Sequence, residues 1–356
     1  MIRIVRRPDP SRRRDIVTRL AAVFAALVCA SLIMAALGYN PVAVFSNIIV
    51  GSTGTAHRIR QTIVKAIPLT TLSLGVAVCF KMKFWNIGAE GQFYLGALFA
   101  TWTAYHFKTL PAGALLPLMF AASLIGGGLW ALIPAVLKSK FRTSEILVTL
   151  MLNYVATKFI TYLQYGPWKD PSAGGFAKMP KFVDAAVLPK LFGVHIGWII
   201  VLVLALAVHI LLAKTKLGYE ISVIGESETT ARYAGISVAG VTAAAVMIGG
   251  GLCGAAGFMQ ASAIEKSLTD QLSAGLGFTA VITAWLARLS APAVVVVSLL
   301  FAALLQGSAY IQTALQVPSA VADILQGVIL FFVLGSEFFL NYRLVRTQSS
   351  EKEAVK

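Results

Sequence analysis

From Ala112 to Leu137 the chain reads AGALLPLMFAASLIGGGLWALIPAVL, twenty-six residues without a charge, and the run stops at Lys138, Lys140 and Arg142. About 20 mostly apolar residues carry an α-helix across the hydrocarbon core of a bilayer. The run is therefore predicted to span a membrane. Its basic stop marks the inner side, where Lys and Arg accumulate.

Similar runs lie on both sides of it, and the predicted fold is an all-α polytopic membrane protein with about ten spans: 16–37, 62–80, 93–107, 112–137, 144–165, 197–213, 239–261, 276–287, 293–311 and 322–340. A basic cytoplasmic tail, 1–15, precedes the transmembrane domain, 16–341, and a second cytoplasmic tail, 342–356, follows it. A polar stretch, 39–60, and a longer loop, 166–195, with four prolines are expected outside. Residues 217–238 form the longest internal cytoplasmic segment and are expected to hold a short helix.

Composition agrees with this reading. With 58% hydrophobic and 13% charged residues and a mean hydropathy of +0.79, the chain excludes both a soluble enzyme and a disordered protein. The net charge of +15 would suggest nucleic acid in a soluble protein. Here the cations cluster between apolar runs: seven arginines within Met1 to Leu20, then Lys81/Lys83, Lys138/Lys140/Arg142, Lys214/Lys216 and the C-terminal tail. Together with Arg232 and Arg288, these place twenty of thirty basic residues on one side, so both termini are predicted to be cytoplasmic and no nucleic-acid partner is expected. Ser11-Arg12-Arg13-Arg14 before the first span reads as an uncleaved anchor, since no small-residue cleavage site follows.

Catalytic and metal signatures are absent from the sequence. Cys29, Cys79 and Cys253 lie in apolar segments without a CxxC pair, the four histidines are scattered, and neither HExxH nor GxxxxGK[ST] occurs. Gly249, Gly251 and Gly254 spell GxGxxG with no strand before them. Gly250 and Gly254, like Gly126 to Gly128, instead read as small residues that let membrane helices approach closely. No cofactor, disulfide or metal is expected, and transport must draw on an ion gradient or an ATPase supplied by another chain. Mid-span acids that would couple ions are scarce: Asp323 and Glu337 lie near the ends of the tenth span, and Lys158 is placed to snorkel outward from the fifth.

Spans 93–107 and 276–287 are unusually short and follow glycine-rich turns. Matching interruptions in two halves of a transporter point to an inverted repeat, here spans two to five and seven to ten, with the solute path between them. Thr149, Asn153, Thr157 and Gln164 fall within about 80° on the fifth span, either lining a path for a hydroxylated solute or bonding to neighbouring helices. Phe84-Trp85-Asn86-Ile87-Gly88-Ala89-Glu90-Gly91-Gln92 places Asn86, Glu90 and Gln92 among glycines at a membrane boundary. This suits a broken or re-entrant helix, or else a tight cytoplasmic loop with Glu90 held by Lys81, Lys83 or Arg142. Phe278 and Trp285 of the short eighth span join these residues as candidates for the path.

The runs Asn86-Ile87-Gly88-Ala89-Glu90-Gly91-Gln92, Leu132-Ile133-Pro134-Ala135-Val136-Leu137-Lys138 and Met151-Leu152-Asn153-Tyr154 resemble permease subunits of bacterial ABC importers for nucleosides and simple sugars. These belong to a wider group with the ribose and branched-chain amino-acid permeases. The resemblance covers nearly the whole chain. It implies a bacterial inner-membrane subunit that performs no chemistry, works with a separate ABC ATPase, an extracytoplasmic binding protein and a second permease, identical or homologous, and moves a nucleoside or simple sugar. Another small polar solute, such as a branched-chain amino acid, or a gradient-driven secondary carrier are the alternatives, and a membrane-embedded enzyme is disfavoured because no His/Asp/Ser or metal cluster is evident. The resemblance also identifies Glu226, Ser227, Thr230, Ala231, Arg232, Tyr233 and Gly235 with the coupling helix that fits a groove on the ATPase. The chain departs from the family pattern at Ser227 (usually Asn), Thr230 (Ala), Trp285 (aliphatic) and Ala287 (Gly).

Overall fold

In the computed structural model the described residues are 2–6, 12–318 and 342–346, with 320–321, 323–325, 327–328, 331–332 and 335–336 between the last two ranges. Two compact units divide the chain: one joins the residues up to Gly54 with those from Leu304 onward, and the other runs from Thr55 to Ala303.

The first unit opens with β1 (Ile2–Arg6), α1 (Arg12–Ala36) and α2 (Pro41–Thr53). Stretch 39–60, expected to be a polar external connector, is mostly helical instead. Asn40 Oδ1 accepts the backbone N–H groups of Val42 and Ala43, which caps α2. The turn from α1 to α2 passes through Gly38 at φ +83°, and the two axes bend by 117°. The sequence PVAVFSNIIVGST is apolar enough to pack: Val44 and Ile48 share a core with Ala30, Met34, Ile311 and Leu325. At the unit's other end β4 (Tyr342–Arg346) pairs antiparallel with β1, Ile2 facing Arg346 and Arg6 facing Tyr342. The two predicted tails thus meet as a ribbon.

The second unit contains α3 (Ala56–Lys81), α4 (Ala89–His106), α5 (Ala112–Phe141), α6 (Glu145–Tyr165), a small hairpin of β2 (Lys190–Leu191) and β3 (Val194–His195), α7 (Gly197–Lys214), α8 (Lys216–Glu226), α9 (Glu228–Tyr233), α10 (Val238–Gln260), α11 (Leu276–Leu286) and the first part of α12 (Ala291–Ala314). Its centre is α10, which packs against α3, α4 and α5. Close approach is possible because both partners are glycine at the crossings. A Cβ on Gly96 would land on the Gly254 backbone, and one on Gly75 would meet the Gly249 carbonyl and, at 2.8 Å, Cys253 Sγ. Gly250 and Gly254, predicted as packing residues, face Gly127, Ala131 and Ser123 of α5.

Among the described residues six helices are long and apolar enough to cross a membrane: α3, α5, α6, α7, α12, and α10 with its π-helical continuation to Glu265. The bent α1–α2 pair makes a seventh. The predicted eighth span is an 11-residue helix, too short to cross unaided. The predicted tenth, with Glu337, lies partly outside the described residues. Loop 166–195 is folded: Tyr105 Oη donates to Pro180 O at 2.6 Å, Ser262 Oγ to Ala186 O at 2.6 Å, and Phe182 N to Lys266 O at 2.8 Å.

Candidate functional site

Five of the polar residues singled out by sequence, Asn86, Glu90, Gln92, Thr149 and Asn153, converge where α3 ends and α4 begins, while Thr157 and Gln164 lie further along α6. The chain leaves α3 at Lys81 and does not regain helix until Ala89. Its irregular backbone is satisfied by amide side chains. Asn86 and Gln92 exchange two hydrogen bonds, Nδ2 to Oε1 at 3.0 Å and Nε2 to Oδ1 at 2.9 Å, and Asn86 Oδ1 also accepts Gly88 N–H at 3.0 Å. From α6, Asn153 Oδ1 accepts Gly91 N–H at 2.8 Å while Asn153 Nδ2 donates to Ile87 O at 2.9 Å, and Thr149 Oγ1 accepts Ile87 N–H at 3.3 Å. Asn86, Gln92, Thr149 and Asn153 are all buried. An unpaired buried N–H or C=O costs about 1–3 kcal/mol, so these four side chains hold the broken segment in place.

Glu90 is not bound by Lys81, Lys83 or Arg142. It is buried at the start of α4, and its Oε2 accepts Gly277 N–H at 2.8 Å. The first turns of α4 and α11 therefore meet, and Gly277 lies so close that a Cβ there would meet the Glu90 backbone. A carboxylate at a helix N-terminus answers the free N–H groups and the positive end of the dipole. Further along, Tyr94 Oη donates to Asp270 O at 2.7 Å, and Gln164 Oε1 accepts Asp270 N–H at 2.8 Å. Gln164 Nε2 donates to Ala177 O. Thr157 Oγ1 bonds back to Asn153 O.

At the opposite end of α11, Trp285 stacks on Trp85 with ring centroids 5.4 Å apart, and Phe80 meets both rings edge-on. Phe278 is exposed and Ser73 Oγ lies 2.5 Å from Thr283 Oγ1. Sequence reasoning thus found members of this region but missed its pairing, because Glu90 and Gly277, Tyr94 and Asp270, and Trp85 and Trp285 are each more than a hundred residues apart, and Glu90 binds a backbone group that any residue type supplies.

Residues 216–235 fold as two helices, one more than expected. Ser227 caps α9, its Oγ accepting Thr230 N–H at 3.2 Å, and serine is among the residues that favour this position. Glu228 and Arg232 pair at 2.7 Å. Ala231 is fully buried, Tyr233 is 90% exposed, and Gly235 ends the helix at φ +77°. Beside α9 opens a cleft of about 880 Å³ whose walls include Lys83, Lys138, Arg142, Glu226, Glu228 and Arg232. Lys138 Nζ bonds Glu145 at 2.6 Å and lies over the Phe84 ring at 5.0 Å.

In loop 166–195 the imidazole of His195 is buried, and burial together with the charge of Lys190 pushes its pKa down to about 4. No group of three His, Cys, Asp or Glu converges among the described residues.

Residues 58–334 match the family described as branched-chain amino acid transport system / permease component. The chain is 35% identical over 340 residues to the glucose ABC transporter permease protein TsgB13 of Haloferax volcanii, covering 92% of this chain and 89% of that protein. It is 30% identical over 334 residues to the guanosine ABC transporter permease protein NupP of Bacillus subtilis, covering 91% and 94%. A second Bacillus subtilis protein, the guanosine ABC transporter permease protein NupQ, is 32% identical over 228 residues, 62% of this chain and 71% of its own length.

Proposed function

The chain belongs to the family of branched-chain amino acid transport system permease components, and from that premise we propose that it is the membrane subunit of an ABC importer that carries a nucleoside or simple sugar inward across the inner membrane. The ATPase is a separate subunit, and this chain is not an enzyme. Likeness along nearly its whole length to permeases named for glucose and guanosine carries the solute class. That two Bacillus subtilis permeases share the name guanosine supports a pair of homologous permeases in one transporter.

The geometry supports how such a subunit works. Ten spans result when α1, α4, the loop–α11 segment and the helical residues from 320 onward join the six long helices. An even count agrees with the terminal ribbon, since β1 and β4 can pair only on one side of a membrane. Under this reading spans two to five and seven to ten are inverted repeats, with α4 and α11 as their matching interrupted members. Asn86, Glu90, Gln92, Thr149, Asn153, Thr157 and Gln164 frame these interruptions, while Phe278 and Trp285 border the path. Segment 216–235 couples to the ATPase: Ala231 seats α9 on its own unit and Tyr233 projects as an aromatic anchor of the kind that dominates interfaces. Loop 166–195 faces the binding protein.

The test is reconstitution in vesicles with the cognate ATPase, second permease and binding protein. ATP-dependent accumulation of guanosine or glucose is expected. Accumulation by the permeases without the ATPase would overturn the reading in favour of a gradient-driven carrier. With the full assembly active, Ala231→Glu is expected to abolish uptake.

A further inference from the structure

Helix α6 has a second face about 140° round from Asn153. Leu147, Met151, Tyr154, Lys158, Tyr162 and Tyr165 all fall within about 80° on it, and all six are exposed, the three tyrosines by 63–65%. Its half nearer Glu145 is apolar, whereas the other half is three phenols and an ammonium group.

Lys158 makes this face unlike a lipid-facing one. It lies about 20 Å from the Glu145 end of the helix and about 10 Å from Tyr165, and it has no ion pair or hydrogen bond among the described residues. An exposed ammonium at that depth is costly in hydrocarbon and is found facing water or protein. Snorkelling to the nearer end is hindered because side chains on a helix lean towards its N-terminus, here the far end. Elsewhere in the same unit the exposed face of α7 is different: Leu202, Val203, Leu206 and Ile210 carry a single polar neighbour, His209, about 7.5 Å from the helix's Lys214 end. Contact with another dry helix would bury the ammonium without a partner and leave three phenol groups to satisfy.

We infer that Tyr154, Lys158, Tyr162 and Tyr165 form one wall of the water-filled solute path, a contact surface for a hydroxylated solute with a flat or apolar side and no positive charge. The phenol rings supply faces for stacking and hydroxyls that both donate and accept. Lys158 supplies three donors for hydroxyl, carbonyl or anionic oxygen and repels cations. This deepens the proposed function and rests on it for the solute class. It also moves the path away from the Thr149–Gln164 face, whose hydrogen bonds are already made within the chain.

The experiment uses the complete transporter in vesicles with Cys29→Ser; Cys79 and Cys253 are buried and stay. Tyr154→Cys, Lys158→Cys, Tyr162→Cys and, as a lipid-face control, Leu206→Cys are each exposed to a membrane-impermeant methanethiosulfonate. At least tenfold faster modification at 154, 158 and 162 than at 206, slowed at least threefold by saturating guanosine or glucose, is the expected result. Rates at all three sites as slow as at 206 would mean that lipid or the second permease covers the stripe. Fast rates unaffected by either solute would mean water without solute contact. Either outcome overturns the inference. Should Lys158→Cys fail to assemble, the two tyrosine positions give the same reading with Lys158 in place. Water access is read without uptake, so a failed uptake assay and a failed stripe are distinct results.

Discussion

The two interrupted segments that meet at Glu90 and Gly277 are held in different ways. The segment before α4 is fixed by side chains: Asn86 and Gln92 lock to each other, and Asn153 and Thr149 clamp both the donors and the acceptor of Ile87 to Gly91. The segment before α11 is held mainly through its backbone. Lys266, Ala274 and Gly275 take positive φ, and Asp270 and Gly277 are caught by Tyr94, Gln164 and Glu90 reaching from the other helices. A buried amide network rigidifies when fully satisfied. Lys83 also takes positive φ before α4, so the difference lies in the side chains: the segment before α11 has no exchanged pair of amides among the described residues and is tied by a few long side chains from other helices. By this contrast the segment before α4 is the more constrained frame and the segment before α11 the less constrained partner.

Breaking the frame is expected to have the largest effect. Asn153→Leu leaves Gly91 N–H and Ile87 C=O unpaired in a buried site, which should destabilise the protein by about 2–4 kcal/mol and abolish uptake; thermal unfolding in detergent and vesicle uptake measure both. Breaking the tie to α11 is expected to do less. Glu90→Gln keeps an acceptor for Gly277 N–H while replacing the carboxyl group at the helix N-terminus with an amide, a change of at most about 2 kcal/mol. Uptake should fall more than the melting temperature does. Equal losses at both sites would mean that the two segments form one rigid block. Smaller still is Trp285→Leu, which removes the stack on Trp85 at the far end of α11 and with it about 0.5–1.5 kcal/mol. The variant is expected to fold and to transport at an altered rate, measured by initial uptake.

Hydropathy made most of the frame legible. Uncharged runs closed by Lys and Arg located α3, α5, α6, α7, α10 and α12 to within a few residues at most ends, because the bilayer imposes both length and composition. It misled where those constraints relax. Stretch 39–60 carries enough Ser, Asn, Thr, His and Arg to read as a connector, yet α2 packs its valines and isoleucines on α1 and α12 residues of its own unit. The short eighth span was legible as short, but that its first turn meets Glu90 was not, since nothing in Leu276-Gly277-Phe278 specifies a carboxylate partner. Span five shows the limit of periodicity: the same 3.6-residue pattern fits a lined path and a bonded helix, and the outcome turned on partners contributed by residues 87 and 91.

The mildest way to sharpen the comparison is pH. Loop 166–195 is tied to the segment before α11, where Phe182 N–H donates to Lys266 O and Ser267 Oγ bonds Met179 O at 3.2 Å, and to the last turns of α4 and α6, where Tyr105 Oη donates to Pro180 O and Gln164 Nε2 to Ala177 O. It has no such bond to residues 86–92 among the hydrogen bonds described. His195 sits buried in that loop with neither ring nitrogen bonded among the described residues, and its pKa near 4 lies below the ordinary value of about 6.5. The folded loop therefore binds a proton less readily than the opened one. His195 favours the closed loop fully above about pH 6.5, and that contribution is lost as pH falls towards 4. Between about pH 7 and pH 5, hydrogen exchange corrected for its intrinsic pH dependence should rise by about an order of magnitude, up to ~20-fold, at 182–196 and at 266–270 and stay constant at 86–92. His195→Phe should remove the pH response at both stretches. Acceleration spread evenly over 86–92 as well would show that the amide frame and the α11 segment open together, and the distinction drawn between them would fail.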